Sequence, residues 1–200
     1  LPICICTCAN AEKKRETIRK TWMAQSVAGI ECRFFLGRRE ALEREEDAIP
    51  LWVNDDDDHL PEKVLAFFRY ALECYDFDWL FKCDDDTYVA LDRLAALVDD
   101  RYDLIGDSSL KAKGAPSGRA GYFLSRSMVE NIVAYSDIPS TGAENLIFGE
   151  LVQRLGARTL ASDRLNMNTT PYPMKDNDVV TARWSPPEHF QGTENFRDFF

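Results

Sequence analysis

The run Trp79-Leu80-Phe81-Lys82-Cys83-Asp84-Asp85-Asp86-Thr87-Tyr88-Val89 decides how the chain is read. Its first half is a short, mostly apolar stretch of the kind that forms a strand buried on both faces. The stretch stops abruptly in three consecutive carboxylates and then resumes as a second apolar run. Adjacent carboxylates repel one another, and holding them at the end of a buried strand costs free energy unless a cation compensates. Mg2+ and Mn2+ prefer carboxylate and water oxygens and commonly bridge to phosphates. The triplet therefore points to a divalent ion that clamps a diphosphate and stabilises it as a leaving group. The plain alternative is a solvated acidic turn, and the buried strand in front of the triplet favours the ion.

Working toward the N-terminus, Leu60, Val64, Leu65, Phe68, Ala71, Leu72 and Tyr75 recur at helical spacing, with Pro61 at a first-turn position where proline is tolerated. Residues 55–58, all Asp, precede this helix; they lack the Gly and terminal Glu of a calcium loop and read as a solvated turn. Residues 49–53 and 30–36 read as strands, the latter stopped by Gly37. Residues 11–24 read as one helix with a charged face, capped by Asn10. Residues 2–8 are apolar on both sides and read as a central strand. Beyond the triplet, residues 91–98 read as a helix, 104–106 as a strand, 114–121 as a Gly-containing loop and 122–124 as a strand. Ser125 caps a helix running to about residue 134, and residues 144–155 form a further helix ended by Gly156. The Pro-punctuated segment 171–187 reads as irregular with edge strands. Strands alternating with helices imply an α/β domain with a mostly parallel central sheet and helices on both faces. Ligands of such sheets bind at the carboxyl ends of the strands, where the acidic triplet sits. No repeat or linker interrupts the pattern, and 200 residues fit a single domain spanning 1–200.

Composition narrows the function. Asp and Glu outnumber Lys and Arg by 34 to 24, for a formal charge of −10. Phosphate backbones and anionic membranes are gripped by clustered Lys and Arg, so a nucleic-acid protein is excluded by this balance. No apolar run approaches the ~20 residues of a transmembrane helix. Cys4, Cys6 and Cys8 alternate and would share one strand face, but no zinc-type partner spacing follows. The six cysteines read as buried free thiols, which points to a cytoplasmic setting, or to the Golgi lumen if the sequence is part of a longer chain. The sequon Asn168-Thr169-Thr170 does not settle the compartment.

Three further sets of residues carry chemistry. Arg15 and Arg19 lie four apart and share a helix face from which guanidinium groups can fork onto phosphate, unless they form an ordinary charged surface. Glu144 opens a helix, where a carboxylate is favoured by the dipole and where it can also serve as a general base. His59 and His189 are the only imidazoles, and each reads more simply as a surface group than as a ligand.

Taken in order, these segments resemble glycosyltransferase family 31, the β1,3-galactosyltransferase and Fringe-like group. Arg15-Glu16-Thr17-Ile18-Arg19-Lys20-Thr21-Trp22 is similar to the family's R-x-x-I-R-x-T-W. Phe34-Phe35-Leu36-Gly37 is similar to its F-x-x-G, and Asp58-His59-Leu60-Pro61-Glu62-Lys63 to a shortened D-x-Y-x-N-L-x-x-K. Lys82-Cys83-Asp84-Asp85-Asp86-Thr87-Tyr88-Val89 is close to K-x-D-D-D-T-Y-V. Gly118-Arg119-Ala120-Gly121-Tyr122-Phe123-Leu124-Ser125 resembles G-G-x-G-Y-V-x-S, and Glu144-Asn145-Leu146-Ile147-Phe148-Gly149 resembles E-D-V-x-x-G.

The resemblance implies a GT-A fold, Rossmann-like, and an inverting transferase that uses a UDP-sugar donor, a glycan or glycoconjugate acceptor and Mn2+ or Mg2+. It implies a DxD-like element at Asp84, Asp85 and Asp86, with Asp84 and Asp86 as metal ligands and Asp86 the most direct. It implies donor contacts from Thr7, Arg15, Arg19, Lys63, Asp84 and Asp85, and the base at Glu144. The chain departs from the family at three places. Asn145 replaces an Asp, and an amide cannot accept a proton. Arg119 replaces the second Gly of its loop, which recharges the diphosphate or acceptor side. Arg183 stands where the family has a His, leaving His189 as the substitute metal ligand, or Arg183 itself as a diphosphate partner. These departures favour, as a second reading, a catalytically weak module that binds a nucleotide-sugar or glycan. A metal-dependent nucleotidyl- or phosphotransferase is a third, weakened by the absence of a Gly-x-x-x-x-Gly-Lys loop.

Overall fold

The computed structural model describes the backbone of residues 1–37, 45–169 and 179–183, and the side chains of the same residues except 167–169 and 183. In chain order the elements are β1 (Pro2–Cys6), α1 (Glu12–Lys20), β2 (Glu31–Gly37), β3 (Ala48–Leu51), α2 (Leu60–Cys74), β4 (Trp79–Asp84), β5 (Thr87–Val89), α3 (Leu91–Leu94), β6 (Leu104–Gly106), α4 (Ser108–Lys113), β7 (Tyr122–Ser125), α5 (Arg126–Ala134), α6 (Glu144–Arg154), β8 (Thr159–Ala161), β9 (Leu165–Thr169) and β10 (Thr181–Arg183).

β1 is central because both of its faces are apolar. Ile3 and Ile5 enter a core shared with Ile18, Trp22, Phe34, Phe81 and Phe123. Cys4 and Cys6 enter the opposite core, with Phe35 and the α2 residues Val64, Phe67 and Phe68. Of the α2 stripe, Val64, Leu65, Phe68 and Ala71 are buried and Leu60, Leu72 and Tyr75 half-buried; Phe67, outside the stripe, is buried too and stacks on Phe35 with ring centroids 4.4 Å apart. All six cysteines are free thiols; Cys4, Cys6 and Cys83 are buried, Cys8 and Cys32 half-buried and Cys74 exposed.

The main sheet has the order β3-β2-β1-β4-β7-β6-β8. It is parallel except for β7, which runs antiparallel to both neighbours. β5, β10 and β9 form a small second sheet. The segment read as irregular with edge strands contributes β10, the middle strand of this second sheet, while most of 171–187 lies outside the described residues. Short α4 and β8 were not expected.

The chain steps from β1 outward to β2 and β3, then crosses back to place β4 on the other side of β1. This reversal is a topological switch point, and a crevice opens outside the carboxyl ends of the two strands that flank it. The β1–β4 register pairs Cys6 with Asp84, so the next residues, Thr7 and Asp85, meet at the mouth of that crevice.

The helix expected over 11–24 is broken. A 3-10 turn at Ala9–Ala11 precedes α1, and a second 3-10 turn at Trp22–Ala24 follows it, with Thr21 in a non-helical conformation between. Packing causes the break: Trp22 turns into the core and its Nε1 donates to Thr87 O at 3.1 Å. Asn10 is not the cap; Ala11 occupies that position, without a side-chain bond. Ser125 does cap α5, accepting from the Met128 amide at 3.3 Å.

Candidate functional site

The crevice at the switch point lies between the carboxyl ends of β1 and β4. Thr7 follows β1 and donates its hydroxyl to Asp85 Oδ2 at 2.9 Å, while Lys14 Nζ on α1 donates to Asp85 Oδ1 at 2.6 Å. One step back, Lys82 Nζ donates to Asp84 Oδ1 at 2.7 Å. One step on, Arg119 Nε lies 3.5 Å from Asp86 Oδ2. The three carboxylates thus fan out to three separate cations.

Lys82 is completely buried, yet stays charged. Burial pulls its pKa down, but the Asp84 and Glu144 carboxylates outweigh that and the net direction is up. Glu144, at the head of α6, sits with Oε2 3.6 Å from Lys82 Nζ. Its Oε1 accepts from the Tyr122 hydroxyl at 2.7 Å. Burial, then the Glu144 charge, pushes the Tyr122 phenol well up, so it remains the donor in that bond. Glu144 is only 4% exposed. The carboxylate that opens α6 is thus a buried group held by Tyr122 and Lys82. Its neighbour Asn145 is half-buried.

The loop between α4 and β7 crosses in front of β4. Gly118 O accepts from the Asp84 amide at 3.0 Å. A Cβ on Gly118 would stand 2.8 Å from Asp84 Oδ2 and from Lys82 Nζ, so only glycine lets the loop lie this close. Thr87 Oγ1 donates to Arg119 O at 2.9 Å, which pins the Arg119 backbone across the triplet.

On the far side, Asp55 is the residue that the sequence reading missed. It accepts from Ala9 N at 2.6 Å, Gly37 N at 2.7 Å and Lys63 Nζ at 3.0 Å. Lys63, buried, also donates to Thr7 O at 3.0 Å. Only Asp56, Asp57 and Asp58 of the acidic run are exposed, as the solvated reading required. The position of Asp55 just past a strand end was the available signal.

Arg15 and Arg19 are paired with carboxylates of the chain. Arg15 is wholly buried and forks onto Glu45, with Nε–Oε2 at 3.0 Å and Nη2–Oε1 at 2.9 Å, while Nη1 donates to Cys8 O at 2.6 Å. Arg19 pairs with Glu45 and donates Nε to Asp47 Oδ2 at 2.8 Å. The pair thus holds Glu45 and Asp47, just ahead of β3. The hydrogen bond from Arg15, and after burial that from Arg19, lower the Glu45 pKa from 4.5 to about 2. A carboxylate depressed on folding stabilises the protein above its unfolded value, and that stabilisation is lost as pH falls through the folded value. Glu45→Gln is therefore less stable than the parent at pH 7, and urea unfolding will show the gap closing between pH 4.5 and pH 2.

His189 lies outside the described residues, and Arg183 is placed only by its backbone, at the end of β10. Among the described residues no group of three His, Cys, Asp or Glu side chains is arranged to hold a metal ion. Asp84 and Asp85 are turned to Lys82, Lys14 and Thr7, and Asp86 to Arg119, so the expected joint ligation by Asp84 and Asp86 does not fit these residues. The cation that the triplet was read to demand is supplied three times over by the chain itself.

A family model described as Galactosyltransferase matches residues 13–116, just over half of the chain. A probable beta-1,3-galactosyltransferase 13 of Arabidopsis thaliana is 31% identical over 104 residues, covering 42% of this chain and 30% of that protein. A glycoprotein-N-acetylgalactosamine 3-beta-galactosyltransferase 1 of Xenopus laevis is 26% identical over 193 residues, covering 90% of this chain and 52% of that protein. The chain thus spans about half the length, or less, of these relatives. Among solved structures, the galactosyltransferase LgtC in complex with donor and acceptor sugar analogs aligns with all of this chain and 94% of its own, at a TM-score of 0.55 and 14% identity. The catalytic domain of Drosophila beta1,4galactosyltransferase 7 in complex with xylobiose aligns with 98% of this chain and 77% of its own, at 0.56 and 10%. A mannosyltransferase from Pyrobaculum calidifontis in complex with GDP-Man and Mn2+ aligns with 94% and 58%, at 0.56 and 13%. The shared architecture is the GT-A fold.

Proposed function

The chain belongs to the galactosyltransferase family, and from that membership we propose that residues 1–200 form one unit that transfers a sugar from a UDP-sugar to a hydroxyl of a glycan or glycoconjugate acceptor. Galactose or an N-acetylhexosamine is the donor sugar, and the linkage formed is β1,3, with inversion at the anomeric carbon. The names of the relatives support the galactosyl donor and the 3-position. The observation that carries the reading is the convergence of Thr7, the 84–86 triplet, Arg119 and Glu144 on the crevice at the β1–β4 switch point, where α/β sheets bind their ligands. In this reading the donor diphosphate lies along the triplet. The acceptor approaches beneath the 114–121 loop, with Glu144 as proton acceptor oriented by the Tyr122 hydroxyl.

One observation favours the alternative, a binder of nucleotide-sugar or glycan with little turnover. The carboxylate at the base position is buried and already paired, and the next residue is an amide. Release of UDP from UDP-galactose and UDP-N-acetylhexosamines, measured against a panel of glycan acceptors, separates the two. Transfer predicts acceptor-dependent release with an inverted β1,3 product by NMR. It also predicts a fall of about 10²–10⁴-fold in kcat for Glu144→Gln, with donor affinity retained. Donor binding without acceptor-dependent release across the panel establishes the binder.

A further inference from the structure

Three successive aspartates present a large negative charge to one turn, and the structure shows how that charge is met. Lys82 is locked in the interior between Asp84 and Glu144, and no ligand can reach it. The other two cations are different. Lys14 and Arg119 each keep 51% of their side chain exposed while touching Asp85 and Asp86. They stand on opposite banks of the crevice, Lys14 on α1 and Arg119 on the loop that Gly118 presses against β4.

Resting on the UDP-sugar reading above, we propose that Arg119 and Lys14 hold the donor diphosphate directly, in place of a divalent ion bridging the aspartates to the phosphates. Two physical points carry this. A dication is drawn to carboxylates whose charge is uncompensated, and each of these has a cation of the chain beside it, at 2.7 Å for Asp84, 2.6 Å for Asp85 and 3.5 Å for Asp86. Arg119 also meets Asp86 through Nε, and a guanidinium carries five N–H donors in a planar fork. A cation that touches a carboxylate with one edge and a phosphate with the other performs the bridging task of a metal. The Arg119 backbone is fixed for this by the bond from Thr87 Oγ1 to its carbonyl at 2.9 Å. Lys14 adds a half-exposed point charge from the opposite bank.

The test is calorimetric titration of the whole chain with UDP, UMP and uridine, in EDTA and then in Mn2+. The expected result is UDP affinity in EDTA that changes little when Mn2+ is added. Arg119→Ala is expected to weaken UDP by about tenfold or more while leaving uridine nearly unmoved, and Arg119→Lys to recover only part of the loss. Arg119 is exposed, so an unchanged thermal midpoint will show that the variants are folded. UDP binding that vanishes in EDTA, returns with Mn2+ and survives Arg119→Ala overturns the proposal and leaves the transferase reading standing. Failure of UDP and of other nucleoside diphosphates to bind in either condition overturns the donor reading, and this proposal with it.

Discussion

Lys82→Met is expected to destabilise the fold by about 3–5 kcal/mol, the usual cost of removing one partner from a buried ion pair. The side chain fits the site by size, so the loss is electrostatic. The Asp84 carboxylate, 2.7 Å from the ammonium, and Glu144, 3.6 Å from it, would both lose the cation they share. In a domain of this size each kcal/mol moves the thermal midpoint by about 2–4 °C, so a fall of roughly 6–20 °C follows. Urea unfolding at neutral pH measures it. Adding Glu144→Gln to Lys82→Met removes one of the stranded charges and is expected to restore part of the loss, a coupling that a double-mutant cycle resolves. A Lys82→Met variant within 1 kcal/mol of the parent would show that the cation is not the centre of this network.

Gly121→Ala ranks second. Gly121 has φ +74°, and a Cβ there would lie 2.2 Å from Phe81 Cζ. The left-handed backbone costs a side chain about 1–2 kcal/mol, and forcing a methyl into a packed core about 1–3 more. Phe81 cannot retreat, because it is fully buried with its ring 4.7 Å from that of Phe123. Phe81→Leu in the same chain is expected to relieve the steric share and leave the backbone share, which denaturant midpoints of the two variants will separate. The damage also reaches the crevice, since Gly121 N donates to Gly118 O at 3.2 Å and Gly118 sets the position of the loop against Asp84.

Strand and helix identity was largely legible because it follows from periodicity. β1, β2, β4 and β6 carry buried runs, α2 carries its stripe, and the end of β4 announces the crevice by changing from apolar to acidic within one residue. Strand direction was not legible, because an apolar run reads the same in either sense, and the antiparallel β7 escaped for that reason. The partners of charged groups were hidden too. Arg15 finds Glu45 thirty residues away, and Tyr122 finds Glu144 across twenty-two, through folding that no local spacing encodes. Lys82 was readable in principle: a lone ammonium inside Trp79–Asp84 must be paired if that strand is buried. Its burial explains why the acidic triplet needs less help from outside than its charge implies.

Asp55 has a mechanical consequence. By gripping Ala9, Gly37 and Lys63 at once, a single carboxylate ties the ends of β1 and β2 to α2. That rim of the crevice is held by side-chain bonds, and the opposite rim, around Gly118, is held as well, by the bonds from Asp84 N to Gly118 O and from Thr87 Oγ1 to Arg119 O. Amide exchange is then expected to be slow on both rims, and a guest enters a groove whose walls are already set.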